Sequence, residues 1–234
     1  MTKPAAIPLP PDTWIVVPCF DAQGGLSRTL ATLPVELHAR TIVVDDGSEP
    51  PLRAEDVTLL RHPANRGYGA AQKTGYAAAL AQGAQRVVLL HGDAQYPTPE
   101  TLGLAWALDD ADAALGSRFL VHGGRSIPWW RRWGNRLLTS AANGHFGVHL
   151  SELHTGARAF RADALEALPL DGFSDDYVFD QQLLTTLLSQ GRRIAERPLE
   201  ARYDDTVQSI GFRRSVRYGL GCLWTIARAP RPPR

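Results

Sequence analysis

The 234-residue chain is poor in cysteine, in long apolar runs and in excess charge of either sign. Two cysteines, Cys19 and Cys222, are too few for a disulfide framework and suit a reducing compartment. The longest apolar stretch near the end of the sequence, residues 218–229, is well short of the ~20 residues that span a bilayer. A net charge of +1 gives no global attraction to nucleic acid, so we expect no nucleic-acid partner.

The N-terminal residues also lack the apolar stretch of a secretory signal. Residues 1–12 are a Pro-rich lead, residues 13–205 have the length and mixed composition of one domain, and residues 206–234 are a basic tail with six arginines and no acid. We therefore predict a cytoplasmic protein with a single folded domain. If the tail binds lipid, the protein acts peripherally at the inner face of the membrane.

Short apolar strands alternate with helical segments along the first half of the chain. The predicted strands are residues 14–17, 41–44, 57–60, 86–90 and 113–115, with an edge strand at 194–203. Strands that are apolar throughout predict an α/β fold with a mostly parallel central sheet and helices on both faces. Polar clusters follow several strands, and in such sheets ligands bind beyond the carboxyl ends of the strands. We expect one edge of the sheet to hold the functional site.

Two acidic turns follow strands in this pattern. Asp45 and Asp46 precede a Gly-Ser pair, which is suited to recognising ribose or base hydroxyls but is also an ordinary turn sequence. Asp93 and Gln95 provide hard oxygen ligands two residues apart, which can hold Mg²⁺ or Mn²⁺ while substrate phosphates complete the coordination shell.

The Gly-rich segment that starts at Asn65 and Arg66 leads into an Ala-rich helix over residues 70–81. The segment lacks the P-loop sequence, and Gln72 stands where a dinucleotide fingerprint has its third glycine. A nucleoside triphosphatase and a dehydrogenase are therefore disfavoured. The backbone of this turn is suited to approaching a phosphate or a sugar, or to close helix packing.

The second half of the chain leaves alternatives open. Residues 121–134 contain three tryptophans among arginines, which predicts a mobile loop or a membrane-facing element. Helices are predicted at residues 135–142, 162–168 and 179–189. Residues 212–227 form a basic amphipathic helix that either lies on an anionic lipid surface or packs on the core. Three acids near residue 180 are either a general base for a hydroxyl acceptor or an acidic helix start.

The order of the motifs resembles that of family 2 glycosyltransferases, in the polyprenyl- or dolichyl-phosphate sugar synthase branch. The matching segments are Val17-Pro18-Cys19-Phe20-Asp21, Asp45-Asp46-Gly47-Ser48, Asn65-Arg66-Gly67-Tyr68-Gly69, His91-Gly92-Asp93-Ala94-Gln95, Gly116-Ser117-Arg118, Gly134-Asn135, Thr155-Gly156 with the residues after it, and Glu196-Arg197-Pro198-Leu199. The resemblance covers residues 13–205. It implies a GT-A fold and an inverting transferase that moves a hexose from a UDP-glucose or GDP-mannose type of donor, with a divalent metal, to a polyprenyl phosphate.

The resemblance also implies a role for individual residues. Those expected to bind the nucleotide-sugar are Pro18, Asp21, Asp45, Asp46, Asn65, Arg66 and Asp93. Asp93 and Gln95 would hold Mg²⁺ or Mn²⁺, and Arg118 would face the acceptor phosphate together with Arg131 or Arg132. Asp93 and Arg118 are thus the expected catalytic pair.

One departure from the family pattern, at His91, keeps a non-catalytic function open, and the acids Asp175, Asp176 and Asp180 keep a hydroxyl acceptor open. His91 stands where the family has an acid, and a neutral imidazole is a poorer ligand for Mg²⁺ than a carboxylate, so we retain it only as a weak metal ligand. One alternative is transfer to a hydroxyl acceptor in glycan or cell-envelope synthesis. Another is a non-catalytic homologue that binds a nucleotide-sugar and regulates a membrane complex or a membrane-anchored partner.

Overall fold

The computed structural model of the protein describes residues 8–121, 127–201 and 212–233, the last range without the side chains of residues 212–214. Seven strands in these ranges form one sheet. They are β1 (Thr13–Cys19), β2 (Thr41–Asp45), β3 (Thr58–Arg61), β4 (Arg86–Leu89), β5 (Ala113–Ser117), β6 (Arg158–Arg161) and β7 (Ile194–Pro198). Most of the Pro-rich lead and the predicted loop residues 122–126 lie outside the described residues.

The sheet is mostly parallel, as predicted, with the strand order β3-β2-β1-β4-β6-β5-β7. β6 alone among these strands runs antiparallel, because it pairs in that sense with both β4 and β5. β6 was not predicted from the sequence, because its four residues contain only two apolar residues between two arginines and so give no apolar run. β7 is an edge strand, as expected, but it ends at Pro198 rather than at Tyr203.

Helices cover both faces of the sheet. They are α1 (Gln23–Thr32), α2 (Tyr68–Ala81), α3 (Thr98–Gly103), α4 (Trp129–Phe146), α5 (Ala162–Glu166), α6 (Val178–Ser189) and α7 (Phe212–Arg228). Short 3₁₀ helices span Val35–Arg40, Leu104–Asp109 and Leu170–Gly172. The 3₁₀ helix Leu104–Asp109 follows directly after α3. The predicted loop was wrong for residues 129–134, because α4 begins at Trp129.

Small residues let α2 lie directly against the sheet. A side chain at Gly75 would bring its Cβ to 2.2 Å from Val16 Cγ1 on β1, so only glycine fits this contact. On this face of the sheet Tyr76, Phe160 and Phe179 pack together, and leucines of α6 complete the core. The other face is covered by α1, α3 and the 3₁₀ helix that follows α3, whose leucines are buried. The sheet is thus closed on both sides, which leaves its edges and rims for binding.

The basic C-terminal helix packs on the domain. α7 contacts α4 and α6, and its residues Cys222 and Ile226 are buried, with Ile226 part of the core under α4 and α6. No described helix is both long and apolar enough to cross a membrane.

Candidate active site

The functional side chains gather at one rim of the sheet. β1, β2, β4 and β5 all end there, and β6, running the other way, begins there. The antiparallel β6 therefore brings residues 155–157 to the same rim as the predicted motifs. The rim has a donor half, which follows β1, β2 and β4, and an acceptor half, which follows β5 and precedes β6.

Asp45 and Asp46 on the donor half shape the loops around them. Asp45 is fully buried and accepts hydrogen bonds from Ser48 N (2.9 Å) and Leu52 N (3.1 Å). Asp46 accepts hydrogen bonds from Arg66 N (3.0 Å) and Gly67 N (2.8 Å) and lies 2.6 Å from His62 Nδ1. These carboxylates hold the turn after β2 against the Gly-rich turn before α2. Their direct contact with a nucleotide stays a prediction.

The other residues expected at the nucleotide lie around this pair of turns. Pro18 is buried at the end of β1, whereas Asp21 is exposed, with a left-handed φ of 48°. Asp21 N donates to Ser48 Oγ (2.9 Å), and its carboxylate accepts from Glu49 N (3.2 Å). Asn65 and Arg66 have exposed side chains, so the structure groups all of these residues at one rim.

The predicted metal loop follows β4 and is held close to β1. A Cβ at Gly92 would lie 1.9 Å from Cys19 Sγ, so glycine is needed there. Asp93 and Gln95 are partly exposed, and Asp93 Oδ1 accepts a hydrogen bond from Gln95 N (2.9 Å). Ala94 between them has a left-handed φ of 61°. The loop thus presents a carboxylate and an amide on a sharply turned backbone.

These residues fit a hard divalent cation that substrate phosphates help to hold. Burial, followed by the charges of Asp93 and Asp45, raises the pKa of the Cys19 thiol to about 12. The described residues contain no group of three or more His, Cys, Asp or Glu side chains able to hold a metal by themselves. One or two protein oxygens plus phosphate oxygens is the usual way in which Mg²⁺ is held at phosphate-transfer sites.

His91 belongs to an aromatic cluster that sequence reasoning missed. Its Nε2 lies 3.0 Å from Tyr68 Oη, and Tyr68 stacks on Tyr177 with ring centroids 5.3 Å apart. Tyr96 packs edge-on against the His91 ring, and its hydroxyl accepts from Gly156 N (2.9 Å). The imidazole is therefore packed between aromatic rings, and its Nε2 already forms a hydrogen bond with Tyr68. Its role as a metal ligand stays a prediction.

Arg118 on the acceptor half is buried with a carboxylate. Its Nε donates to Glu152 Oε1 (2.9 Å), its Nη2 contacts the same oxygen, and its backbone N donates to Oε2 (2.7 Å). Asn135 of α4 also donates to Glu152 (2.7 Å). Arg118 Nη2 further donates to the carbonyl of His154 (2.9 Å). The guanidinium is rigidly positioned at the end of β5, and its contact with an acceptor phosphate stays a prediction.

Arg131 and Arg132 lie within the first turn and a half of α4, just before Asn135. The guanidinium of Arg131 stacks over the ring of Trp130, 4.9 Å from its centroid. Because Asn135 bonds the same carboxylate as Arg118, the start of α4 lies beside the acceptor half of the rim.

A second buried arginine, which sequence reasoning missed, lies between the halves. Arg158 at the start of β6 is almost fully buried and forms an ion pair with Asp180 (Nη1 to Oδ1, 2.9 Å). Gln72 of α2 donates to the same carboxylate oxygen (2.9 Å). Asp180 raises the pKa of the guanidinium against the opposing effect of burial. The sequence gave no signal for this ion pair, because Arg158 and Asp180 lie on separate elements 22 residues apart.

The other two acids near residue 180 also have structural partners. Asp175 pairs with Lys73 (2.9 Å), and its carbonyl accepts from Gly69 N (2.7 Å). The Asp176 carboxylate accepts from Tyr177 N (2.7 Å) just before α6. Both carboxylates therefore have structural partners in the segment before α6, whereas the acid within the first turn of α6 is Asp180.

His154 is a neutral imidazole between two arginines. Its Nδ1 lies 2.9 Å from Tyr218 Oη of α7. Burial, and then the charges of Arg158 and Arg118, lower the pKa of His154 from 6.5 to about 3. The imidazole is therefore neutral at pH 7, although each of the two arginines is itself paired with a carboxylate.

The chain matches the model of Glycosyl transferase family 2 over residues 14–168. It is 26% identical to the undecaprenyl-phosphate mannosyltransferase of Micrococcus luteus, over 92% of this chain and 96% of that protein. It is 28% identical to the polyprenol monophosphomannose synthase of Mycolicibacterium smegmatis, over 84% of this chain and 79% of that one. Both names agree with the branch that the motifs indicated.

Solved structures share the fold. The glucosyl-3-phosphoglycerate synthase of Mycobacterium tuberculosis, in complex with Mn²⁺, UDP-glucose and glycerol 3-phosphate, superposes with a TM-score of 0.66. The alignment covers 94% of this chain and 81% of that one at 17% identity, a likeness that concerns the fold alone. The predicted GT-A fold is confirmed. The chain belongs to glycosyl transferase family 2 and is a glycosyltransferase that uses nucleotide-sugar donors.

Proposed function

We propose that the protein is an inverting hexosyltransferase that moves a sugar from a UDP-glucose or GDP-mannose type of donor to a polyprenyl or dolichyl phosphate. The reaction would take place at the cytoplasmic face of the membrane. The names of the two relatives support the acceptor class. The arrangement of charges at the rim supports it independently.

The observation that carries the proposal is the state of the three acids near residue 180. Asp180 forms an ion pair with Arg158, Asp175 pairs with Lys73, and the Asp176 carboxylate accepts a hydrogen bond from Tyr177 N. A hydroxyl acceptor needs a carboxylate to take its proton, whereas a phosphate monoester is already an anion at neutral pH. Each of these three candidate bases already has a structural partner, which favours a phosphate acceptor over a hydroxyl acceptor.

On the donor half, the turns held by Asp46 would bind the nucleotide. The exposed side chains of Asp21, Asn65 and Arg66 surround that position. Asp93 and Gln95 would hold Mg²⁺ or Mn²⁺, which when bound neutralises the charge that develops on the departing diphosphate. The chain's own contribution is to orient the donor and to hold this loop rigidly against β1.

On the acceptor half, Arg118 would orient the lipid phosphate, with Arg131 or Arg132 joining it from α4. Glu152 fixes the plane of the Arg118 guanidinium through its bonds to Nε and Nη2. A guanidinium held in a fixed orientation loses little conformational entropy when it binds an oxyanion. The phosphate oxygen would then be placed opposite the leaving diphosphate, as inversion requires.

The test is a transfer assay with the purified protein, labelled UDP-glucose or GDP-mannose, Mn²⁺ or Mg²⁺, and a short-chain, water-soluble prenyl phosphate. The matching prenyl alcohol and a free saccharide are the comparison acceptors. We expect transfer to the phosphate only, and loss of transfer when the metal is chelated.

Transfer to the alcohol or the saccharide would contradict the proposed acceptor class. Binding of the donor without transfer to any acceptor would indicate the non-catalytic homologue instead.

A further inference from the structure

Two neighbouring helices expose large apolar side chains to solvent. On α4, Trp129, Trp133 and Leu137 are 70%, 64% and 66% exposed and recur every four residues, so they lie along one stripe. The stripe points away from the buried side of α4, which carries Leu138 and Ala142. Three such residues in a row are unusual for a solvent-facing helix.

A matching stripe lies on α7. Val216, Leu220 and Trp224 are 46%, 63% and 57% exposed and also recur every four residues. The opposite side of this helix buries Cys222 and Ile226. Each helix therefore has two apolar sides, one packed on the core and one exposed to solvent.

The two helices lie side by side and run in the same direction. Near their C-terminal ends, His145 Nε2 of α4 is 2.8 Å from the carbonyl of Ala229, just after α7. Nearer their N-terminal ends, Asn135 bonds Glu152 and Tyr218 bonds His154, so both helices reach the same short segment. The two helices contact each other and both bury one side in the domain, and we call their exposed stripes together the α4–α7 face.

The charge of this face is of one sign. Neither helix contains an acidic residue, and together they carry seven arginines. Arg136, Arg217 and Arg228 are exposed beside the apolar stripes, and Arg228 stacks on Trp224 at 4.3 Å. Tryptophan and arginine together suit the headgroup region of a bilayer, where aromatic rings sit at the interface and arginines meet anionic lipids.

We propose that the α4–α7 face docks on an anionic lipid bilayer, with the tryptophans and leucines in the headgroup layer and the arginines against lipid phosphates. The docking surface is thus a composite of two helices 83 residues apart in sequence, counted from Trp129 to Phe212. The inference rests on the proposed function only in that a lipid acceptor gives the contact a purpose.

The position of the face relative to the site supports this occupant. Tyr218 of α7 bonds His154, whose carbonyl accepts from Arg118 at the acceptor half of the rim. Asn135 of α4 shares Glu152 with the same arginine. A bilayer against the two helices would therefore lie beside the arginine expected to meet a lipid phosphate, and the acceptor would not leave the membrane to react.

The experiment is flotation of the full chain with phosphatidylglycerol–phosphatidylcholine vesicles, compared with phosphatidylcholine alone. Trp133→Glu and Leu220→Glu each change one helix of the face, and Val35→Glu is the matched control, since Val35 is 60% exposed in the 3₁₀ helix Val35–Arg40. We expect the native chain and the control to bind the anionic vesicles. Each face variant should bind about ten-fold or more weakly, because one large apolar side chain no longer enters the interface.

Quenching of tryptophan fluorescence by brominated lipid gives a second measurement on the native chain. The inference is overturned if the native chain does not float with anionic vesicles, or if both variants float as well as the control. It is also overturned if the native chain is a dimer that Leu220→Glu makes monomeric, because the face would then join two copies. Transfer to the short-chain prenyl phosphate needs no vesicle, so failure of docking and failure of the proposed function are separate results.

Discussion

The two halves of the rim neutralise their buried carboxylates in different ways. On the donor half, Asp45 and Asp46 each accept hydrogen bonds from two backbone N–H groups of the turns around them, and Asp45 also pairs with the partly exposed Arg61 at 3.3 Å. On the acceptor half, Glu152 and Asp180 are paired with Arg118 and Arg158. The first arrangement fixes the shape of loops, and the second balances full charges inside the domain.

Because of this difference, substitutions in the two halves should affect different properties of the protein. On the donor half, Asp93 is a partly exposed carboxylate with one described hydrogen bond, which suits it to hold a cation and its diphosphate. In the acceptor half each arginine is an integral part of the core, so removing it leaves a carboxylate buried without its partner. Substitutions on the donor half are expected to affect catalysis first, and those on the acceptor half to affect folding first.

The largest effect is expected for Asp93→Asn. The change keeps the shape of the side chain but removes the charge that would hold the metal, so kcat/KM should fall by about 10²- to 10³-fold. The midpoint of thermal unfolding should stay the same, because Asp93 is partly exposed and accepts a single described hydrogen bond, from Gln95 N. The exposed Asp110→Asn variant is the control. Near-native turnover of Asp93→Asn would refute the metal assignment.

Arg118→Ala tests the acceptor half. Removing this arginine strands the fully buried Glu152, and the free energy of unfolding in urea should fall by about 3 kcal/mol. Adding Glu152→Gln should restore a large part of that loss, since the uncompensated charge is gone. The double variant should then show a raised KM for the prenyl phosphate, with a smaller change for the nucleotide-sugar. A larger change in the KM for the nucleotide-sugar would indicate that Arg118 contacts the sugar donor rather than the acceptor phosphate.

Acid should weaken the fold through His154. Because the pKa of its imidazole is about 3 in the folded chain and 6.5 as a free side chain, the unfolded chain binds the proton first as pH falls. Stability from this group is complete above pH 6.5 and is lost between pH 6.5 and 3, at roughly 1.4 kcal/mol per pH unit. Urea unfolding at pH 7 and pH 5 measures the slope. His154→Asn keeps a hydrogen-bond acceptor for Tyr218 and should reduce the dependence of the unfolding free energy on pH. An unchanged pH dependence would mean that other groups cause it.

The smallest effect is expected for Asp46→Asn on the donor half. The change replaces one carboxylate oxygen with an NH₂ group, which then faces the N–H of Arg66 or Gly67, so that two hydrogen-bond donors meet. This should lower the free energy of unfolding by about 1 to 2 kcal/mol. Asp21→Asn is the control for stability, because its exposed carboxylate accepts only from Glu49 N among the described contacts. Equal losses in the two variants would show that the Asp46 turn is held by something other than its charge.

The donor half was largely predictable from the sequence. The strands that carry it are apolar throughout, and Asp46 and Asp93 come directly after them, so the parallel sheet and its polar rim followed from local patterns. Which backbone groups the carboxylates hold was not predictable, because those contacts join loops 20 residues apart, as between Asp46 and Arg66.

The acceptor half was harder for a physical reason. β6 is four residues long and contains two arginines, and the ion pair that allows Arg158 to be buried comes from Asp180 on a distant helix. In the sequence, three tryptophans and Pro128 favour a mobile loop or a membrane-facing element over residues 121–134, whereas in the structure the proline directly precedes the first residue of α4. Long-range pairing decided β6, and a local signal, the proline, marks the start of α4.

The antiparallel β6 has a consequence for synthesis of the chain on the ribosome. β4 and β5 are joined only through β6 in the described sheet, so β4 has an unpaired edge until residue 161 has left the exit tunnel. An apolar strand with open hydrogen-bonding groups invites pairing with other chains during that interval. Nascent chains truncated before residue 158 should therefore recruit chaperones, and those extended past α6 should release them.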